Sequence, residues 1–137
     1  MLGLLLVTHA PLGKAFIQAA THVFRAQPEY LEAIDVLADQ NVEEVKLGVE
    51  DAIARLDRGQ GVLILTDIFG GTPSNCCRQL SQAHEVAVVA GLSLPMLLRA
   101  ITYRNDQLDV VVEMAITGGQ NGATRIEDRI RIAAPQS

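Results

Sequence analysis

The sequence predicts one α/β domain, a doubly wound and mainly parallel sheet of strand order 2-1-3-4 with helices on both faces. Two observations point there. Short, continuously apolar runs of strand length recur along the chain, as expected of strands covered on both faces. Between them lie segments whose apolar residues return at helical spacing, and such alternation implies right-handed βαβ crossovers. The 137 residues make a single domain spanning 1–137, long enough to bury roughly 70% of the unfolded surface. Nearly half of the residues are apolar, so a core forms without metals or disulfides.

The elements follow in order. Gly3 to Thr8 reads as the first strand. Pro11 suits the first turn of a helix, where its missing N–H costs nothing, and Leu12, Phe16, Ala19 and Val23 continue it as an apolar stripe. Tyr30 to Leu37 reads as a second strand with an interrupted pattern. Val42, Val45, Val49, Ile53 and Leu56 mark the clearest amphipathic helix, and Gly59 fits its stop. Gly61 to Thr66 is the third strand, and the Gly70-Gly71-Thr72-Pro73 turn leads into a helix over about Ser74 to Gln82. Glu85 to Ala90 is the fourth strand, followed by a helix marked by Leu94, Leu97 and Ile101. A last helix is expected over Leu108 to Ile116, ending at Gly118-Gly119. From Ala123 to Ile132 isoleucines alternate with charged residues, which suits an edge strand. No repeat, low-complexity tract or linker interrupts the series.

Composition excludes several functions. A net charge of −5 argues against nucleic-acid binding, which calls for a basic face. The adjacent Cys76 and Cys77 match neither a zinc spacing nor a redox pair and read as buried thiols on a helix. No metal or cofactor is expected. No basic residue precedes Lys14, so no signal peptide is expected. No apolar run approaches the ~20 residues that span a bilayer, which places the protein in the cytoplasm without direct membrane insertion.

The chemistry gathers at two strand ends. His9 directly follows the first strand, and Asp67 follows the third. Parallel α/β folds place their sites at that edge, and in order 2-1-3-4 these two strands are neighbours at the switch point. A neutral imidazole attacks phosphorus through an unprotonated nitrogen, and a carboxylate accepting the other N–H fixes the tautomer. Asp67 is the candidate for orienting His9. Gly70 and Gly71 permit a sharp turn, and Thr72 and Ser74 add hydroxyls where backbone N–H groups at a helix start favour an anion. Thr8 and Thr66 are near enough in sequence to add further hydroxyls. Taken singly, such a histidine is a capping or packing residue and such a turn is a helix entry; together, at equivalent strand ends, they define a candidate phosphoryl site. His22 and His84 lack that setting and read as structural or solvated.

Other phosphate chemistries fit less well. Gly13-Lys14 superficially resembles a P-loop, but Thr8 and Ala15 stand where Gly and Ser/Thr are needed. Thr8-His9-Ala10-Pro11-Leu12-Gly13 does not supply a dinucleotide fingerprint. A receiver-like module phosphorylated on Asp67 needs acidic residues at the first strand end for Mg²⁺, where this chain has His9.

Thr8-His9 and Thr66-Asp67-Ile68-Phe69-Gly70-Gly71-Thr72-Pro73-Ser74-Asn75 together resemble the mannose-family EIIA component of the bacterial phosphoenolpyruvate:sugar phosphotransferase system (PTS). Gly91-Leu92-Ser93-Leu94-Pro95-Met96-Leu97 is similar to a third block of that family, with Ser93 where Asn is usual. The resemblance spans residues 1 to about 120. It implies phosphorylation of His9 on Nε2, Asp67 bonded to the other ring nitrogen, and Thr72 holding the phosphoryl group. It further implies phospho-HPr as donor, charged from phosphoenolpyruvate by enzyme I, and an EIIB histidine or a regulatory protein as acceptor. A homodimer with a four-stranded parallel core and an exchanged C-terminal strand is also implied. The sequence stops at Ser137 without an EIIB unit, so a free-standing EIIA is expected. The phosphotransfer subunit of dihydroxyacetone kinases, which lacks the Gly-Gly-Thr-Pro block, is the second reading. A non-catalytic interaction domain is the third.

Overall fold

The computed structural model describes residues 1–68, 70–77, 83–127, 131 and 133. Four strands, β1 (Gly3–His9), β2 (Leu31–Val36), β3 (Val62–Thr66) and β4 (Val86–Ala90), form one sheet of order β2-β1-β3-β4, and every pairing is parallel. The expected topology is therefore the observed one. The helices are α1 (Leu12–Phe24), α2 (Val42–Leu56), α3 (Thr72–Asn75), α4 (Leu94–Thr102) and α5 (Leu108–Gly122).

Successive side chains of a strand alternate between faces, and this divides the core in two. Leu4, Leu6, Leu63 and Leu65 pack with the buried residues of α1, α4 and α5, such as Ala20, Leu97 and Val111. Leu5, Val7, Val62 and Ile64 pack with Val45, Val49, Ile53 and Leu56 of α2, and with Cys76 and Cys77. Both thiols are buried and free, and burial pushes that of Cys77 up to about 12. No helix among the described residues is long and apolar enough to cross a membrane.

Three expectations need revision or fall outside the described residues. The last helix does not stop at Gly118-Gly119 but runs to Gly122. Those glycines provide clearance against α4: a Cβ at Gly118 would stand 2.9 Å from Cβ of Arg99, and one at Gly122 would stand 2.6 Å from Cγ of Pro95. The helix expected over 74–82 is a single turn at Thr72–Asn75, with 78–82 outside the described residues. Residues 123–127 are irregular, with Ile126 exposed, while the positions of Ile130 and Ile132 lie outside the described residues.

The edge of the sheet where the strands begin is held by polar staples. The Arg104 guanidinium is buried and donates to the carbonyls of Leu2, Glu29 and Tyr30. His84 Nδ1 lies 2.7 Å from Asp57 Oδ2, and Asp57 Oδ1 accepts from the N–H groups of Gly59 and Gly61. The His84 bond does most to hold the Asp57 carboxyl below the ordinary carboxylate range. This setting makes His84 a structural group, and His22 lies exposed on α1.

Candidate functional site

Pairing of Val7 with Thr66 brings the ends of β1 and β3 side by side. One residue beyond β3, the Asp67 carboxylate reaches back to His9. Its Oδ2 accepts from the His9 backbone N–H at 3.0 Å and lies 2.8 Å from His9 Nδ1. Its Oδ1 accepts from Ile68 N–H at 3.0 Å. An ionised carboxylate only accepts, so when the ring is neutral this contact calls for the proton on Nδ1 and leaves the lone pair on Nε2. Burial pushes the Asp67 carboxyl up, but the bonds from His9 and Ile68 outweigh it and hold the group below its ordinary value. The Asp67 side chain is 9% exposed and that of His9 is 47% exposed, which pairs a shielded carboxylate with an accessible ring.

The glycine turn closes against this ring. Gly70 has φ +91° with open space around it, so the backbone conformation calls for glycine there. Gly71 has an ordinary φ of −83°, but a Cβ would stand 3.1 Å from Cε1 and 3.5 Å from Nε2 of His9. The missing side chain at Gly71 is what lets the turn lie beside Nε2. Thr72 is exposed at the start of α3, and Ser74 is buried behind it. The third block also ends at this edge. Leu92 N–H donates to the Thr66 carbonyl at 2.9 Å, and Ser93 caps α4 by accepting from Met96 N–H at 3.3 Å. A serine is thus a competent cap where the family pattern has asparagine.

The two strand-end threonines part company. Thr66 shares the parity of Val62 and Ile64 and faces the α2 side; it is fully buried, and its hydroxyl has no partner among the described residues. Thr8 shares the parity of Leu4 and Leu6 and faces the α1 side, where its hydroxyl donates to Asp35 Oδ1 at 3.1 Å. A hydroxyl has one proton to give, so the structure directs that of Thr8 toward β2.

Asp35 was not singled out from sequence. The same carboxylate accepts from Gly13 N–H at 2.8 Å and Lys14 N–H at 3.4 Å, capping α1 from the end of β2. Its only trace in the sequence is the acid that interrupts the second strand's apolar pattern.

With that geometry in place, comparisons with known proteins bear on the chain. The EIIA-man family model, described as PTS system fructose IIA component, matches residues 3–116. The mannose-specific EIIAB component of Escherichia coli K12 is 29% identical over 132 residues, covering 93% of this chain. The chain spans 41% of that relative's length. The sorbose-specific EIIA component of Lacticaseibacillus casei is 31% identical over 106 residues, 75% of this chain and 74% of that one. The crystal structure of phosphotransferase system component EIIA from Streptococcus agalactiae superposes with a TM-score of 0.82 at 25% identity, covering 91% of this chain and 97% of that one. The strand order, the sequence match across most of the chain and this structural likeness agree: the chain belongs to the EIIA-man family and is a mannose-family EIIA component of the PTS.

Proposed function

We propose that the protein is a phosphoryl carrier that accepts phosphate from phospho-HPr on Nε2 of His9 and passes it to a histidine of an EIIB partner or uses it as a regulatory signal. The 2.8 Å contact between His9 Nδ1 and Asp67 Oδ2 carries the reading. It supports a ring that carries its proton on Nδ1 and uses the other nitrogen as the nucleophile. In the transfer, the Nε2 lone pair attacks phosphorus as the donor's P–N bond breaks, and the donor imidazole leaves with that electron pair. The His9 ring keeps its Nδ1 proton and becomes cationic, and Asp67 stabilises that charge. Gly70 and Gly71 shape the turn around the incoming group. Thr72, Ser74 and Thr66 supply hydroxyl donors to its oxygens, and the lack of a partner for the Thr66 hydroxyl among the described residues supports including it. Thr8 stands behind His9 and enters the site through Asp35.

The reading includes a cytoplasmic homodimer in which the C-terminal segment pairs along β4 of a second copy. β4 is one of the two outer strands of the described sheet, and the 93% exposure of Ile126 on the segment after α5 suits burial against another copy. The test of the central step is the rate of ³²P uptake from phosphoenolpyruvate through enzyme I and HPr. Asp67→Ala is expected to slow uptake by about 10²-fold, the scale of losing an orienting acid–base partner. An unchanged rate would remove Asp67 from the mechanism.

A further inference from the structure

We propose that Asp35 is a positioning residue for phosphoryl transfer, clamping both ends of the loop that carries His9. The proposal rests on the phosphocarrier reading and adds to it a residue from a third strand end. His9, Ala10 and Pro11 lie between two anchors on one carboxylate: Thr8 donates to Asp35 from the strand side, and Gly13 and Lys14 donate from the helix side. Between the anchors, Ala10 N–H donates to the Val36 carbonyl at 3.1 Å, the residue after Asp35. The end of β2 therefore holds the loop at four points, while Asp67 holds His9 itself.

The need for this clamp follows from local chemistry. The first N–H groups of a helix lack partners within it, and the N-cap of α1 is Pro11, whose side chain cannot cap. Asp35 supplies the missing acceptor from outside the segment. Gly13 gives it room: a Cβ there would stand 2.7 Å from Asp35 Oδ1, 2.9 Å from the Ala33 side chain and 3.1 Å from the Thr8 hydroxyl. The result is a helix start, a strand end and a carboxylate packed so closely that the His9 backbone between them has little freedom. The His9–Asp67 bond depends on that placement, because its ring and backbone contacts converge on one oxygen. Reactions that depend on near-attack geometry lose roughly 10²-fold for about 1 Å of misplacement.

The role differs from ordinary capping in what its loss does. Asp35→Ala is expected to lower phosphoryl uptake at saturating phospho-HPr by about 10-fold or more, with KM for the donor changing little. In the unphosphorylated protein the His9–Asp67 bond is expected to give a downfield Nδ1–H resonance by NMR, which Asp35→Ala should weaken or broaden. Thr8→Val, which keeps the shape and removes the hydroxyl, is expected to give a smaller loss in the same two readouts. The double variant is expected to be no worse than Asp35→Ala alone, as for groups acting through one interaction. Val49→Ala, a destabilising control within α2, is expected to lower Tm and leave both readouts unchanged. A folded Asp35→Ala protein with wild-type uptake and a wild-type Nδ1–H signal would overturn the proposal, as would fully additive effects of the two substitutions. Should Asp35→Ala not fold, Thr8→Val and Asp35→Asn decide it by the same measurements. If the wild-type protein takes up no phosphate, the phosphocarrier reading fails, and the ring resonance alone still tells whether Asp35 positions His9.

Discussion

Gly70 and Gly71 are adjacent and identical in the sequence, yet they serve different physical needs. Gly70 is required by its positive φ, and Gly71 by the distance to the imidazole. Their substitutions separate accordingly. Gly70→Ala strains the backbone without approaching His9 and is expected to lower stability by about 1 kcal/mol or more. Gly71→Ala suits its own φ and is expected to keep the fold, but its methyl group sits beside Nε2. Phosphoryl uptake should then drop by about 10-fold or more for a sub-ångström intrusion, with Tm near wild type. Parallel unfolding and uptake measurements check both halves, and equal uptake by the two variants would refute the division. His9 and Asp67 were legible because strand ends of a parallel sheet share an edge. Asp35 was not, because a cap donated from another strand leaves no local signature at the helix it caps.

At the level of elements, the sequence misled most where glycine was read as punctuation. Gly118 and Gly119 read as a stop, but α5 continues through them because α4 lies too close for larger residues. The two positions make a controlled pair. Alanine gains up to about 1 kcal/mol over glycine in a helix interior. At Gly118 the new Cβ would meet the Arg99 Cβ at 2.9 Å and the Pro95 carbonyl oxygen at 3.2 Å, close to the stems of a packed helix. Overpacking of that kind costs about 1–3 kcal/mol, so Gly118→Ala is expected to be destabilising on balance. At Gly119 the obstacle at 2.8 Å is the terminal methyl of Met96, which swings aside easily; Gly119→Ala is expected to be neutral or stabilising. Denaturant midpoints of the two variants test this, and the reverse order would contradict the packing account. The second strand's broken pattern has a similar origin. Glu32 bonds Arg55 of α2 and Asp35 caps α1, so its polar residues are spent on neighbouring elements.

For the whole molecule, the parallel sheet sets structural polar groups at one edge and those of the candidate site at the other. Where the strands begin, Arg104 and the His84–Asp57 pair tie loops to strands. Where β1 and β3 end, an accessible imidazole, a shielded carboxylate and a glycine turn converge from segments far apart in sequence. The alternation of apolar runs and amphipathic helices made this architecture readable, and the topology then brought His9 to Asp67. Close contacts set by missing side chains, and caps that reach across strands, required the three-dimensional structure. Every step of the proposed transfer passes through a phosphoryl group on His9. Intact-protein mass after incubation with phosphoenolpyruvate, enzyme I and HPr tests it most directly, with His9→Ala alongside. One phosphoryl group is expected on the wild-type protein, labile in acid, stable in alkali and absent from the variant; an equal adduct on His9→Ala, or none on the wild-type protein with active cognate HPr, would rule out His9 as the carrier.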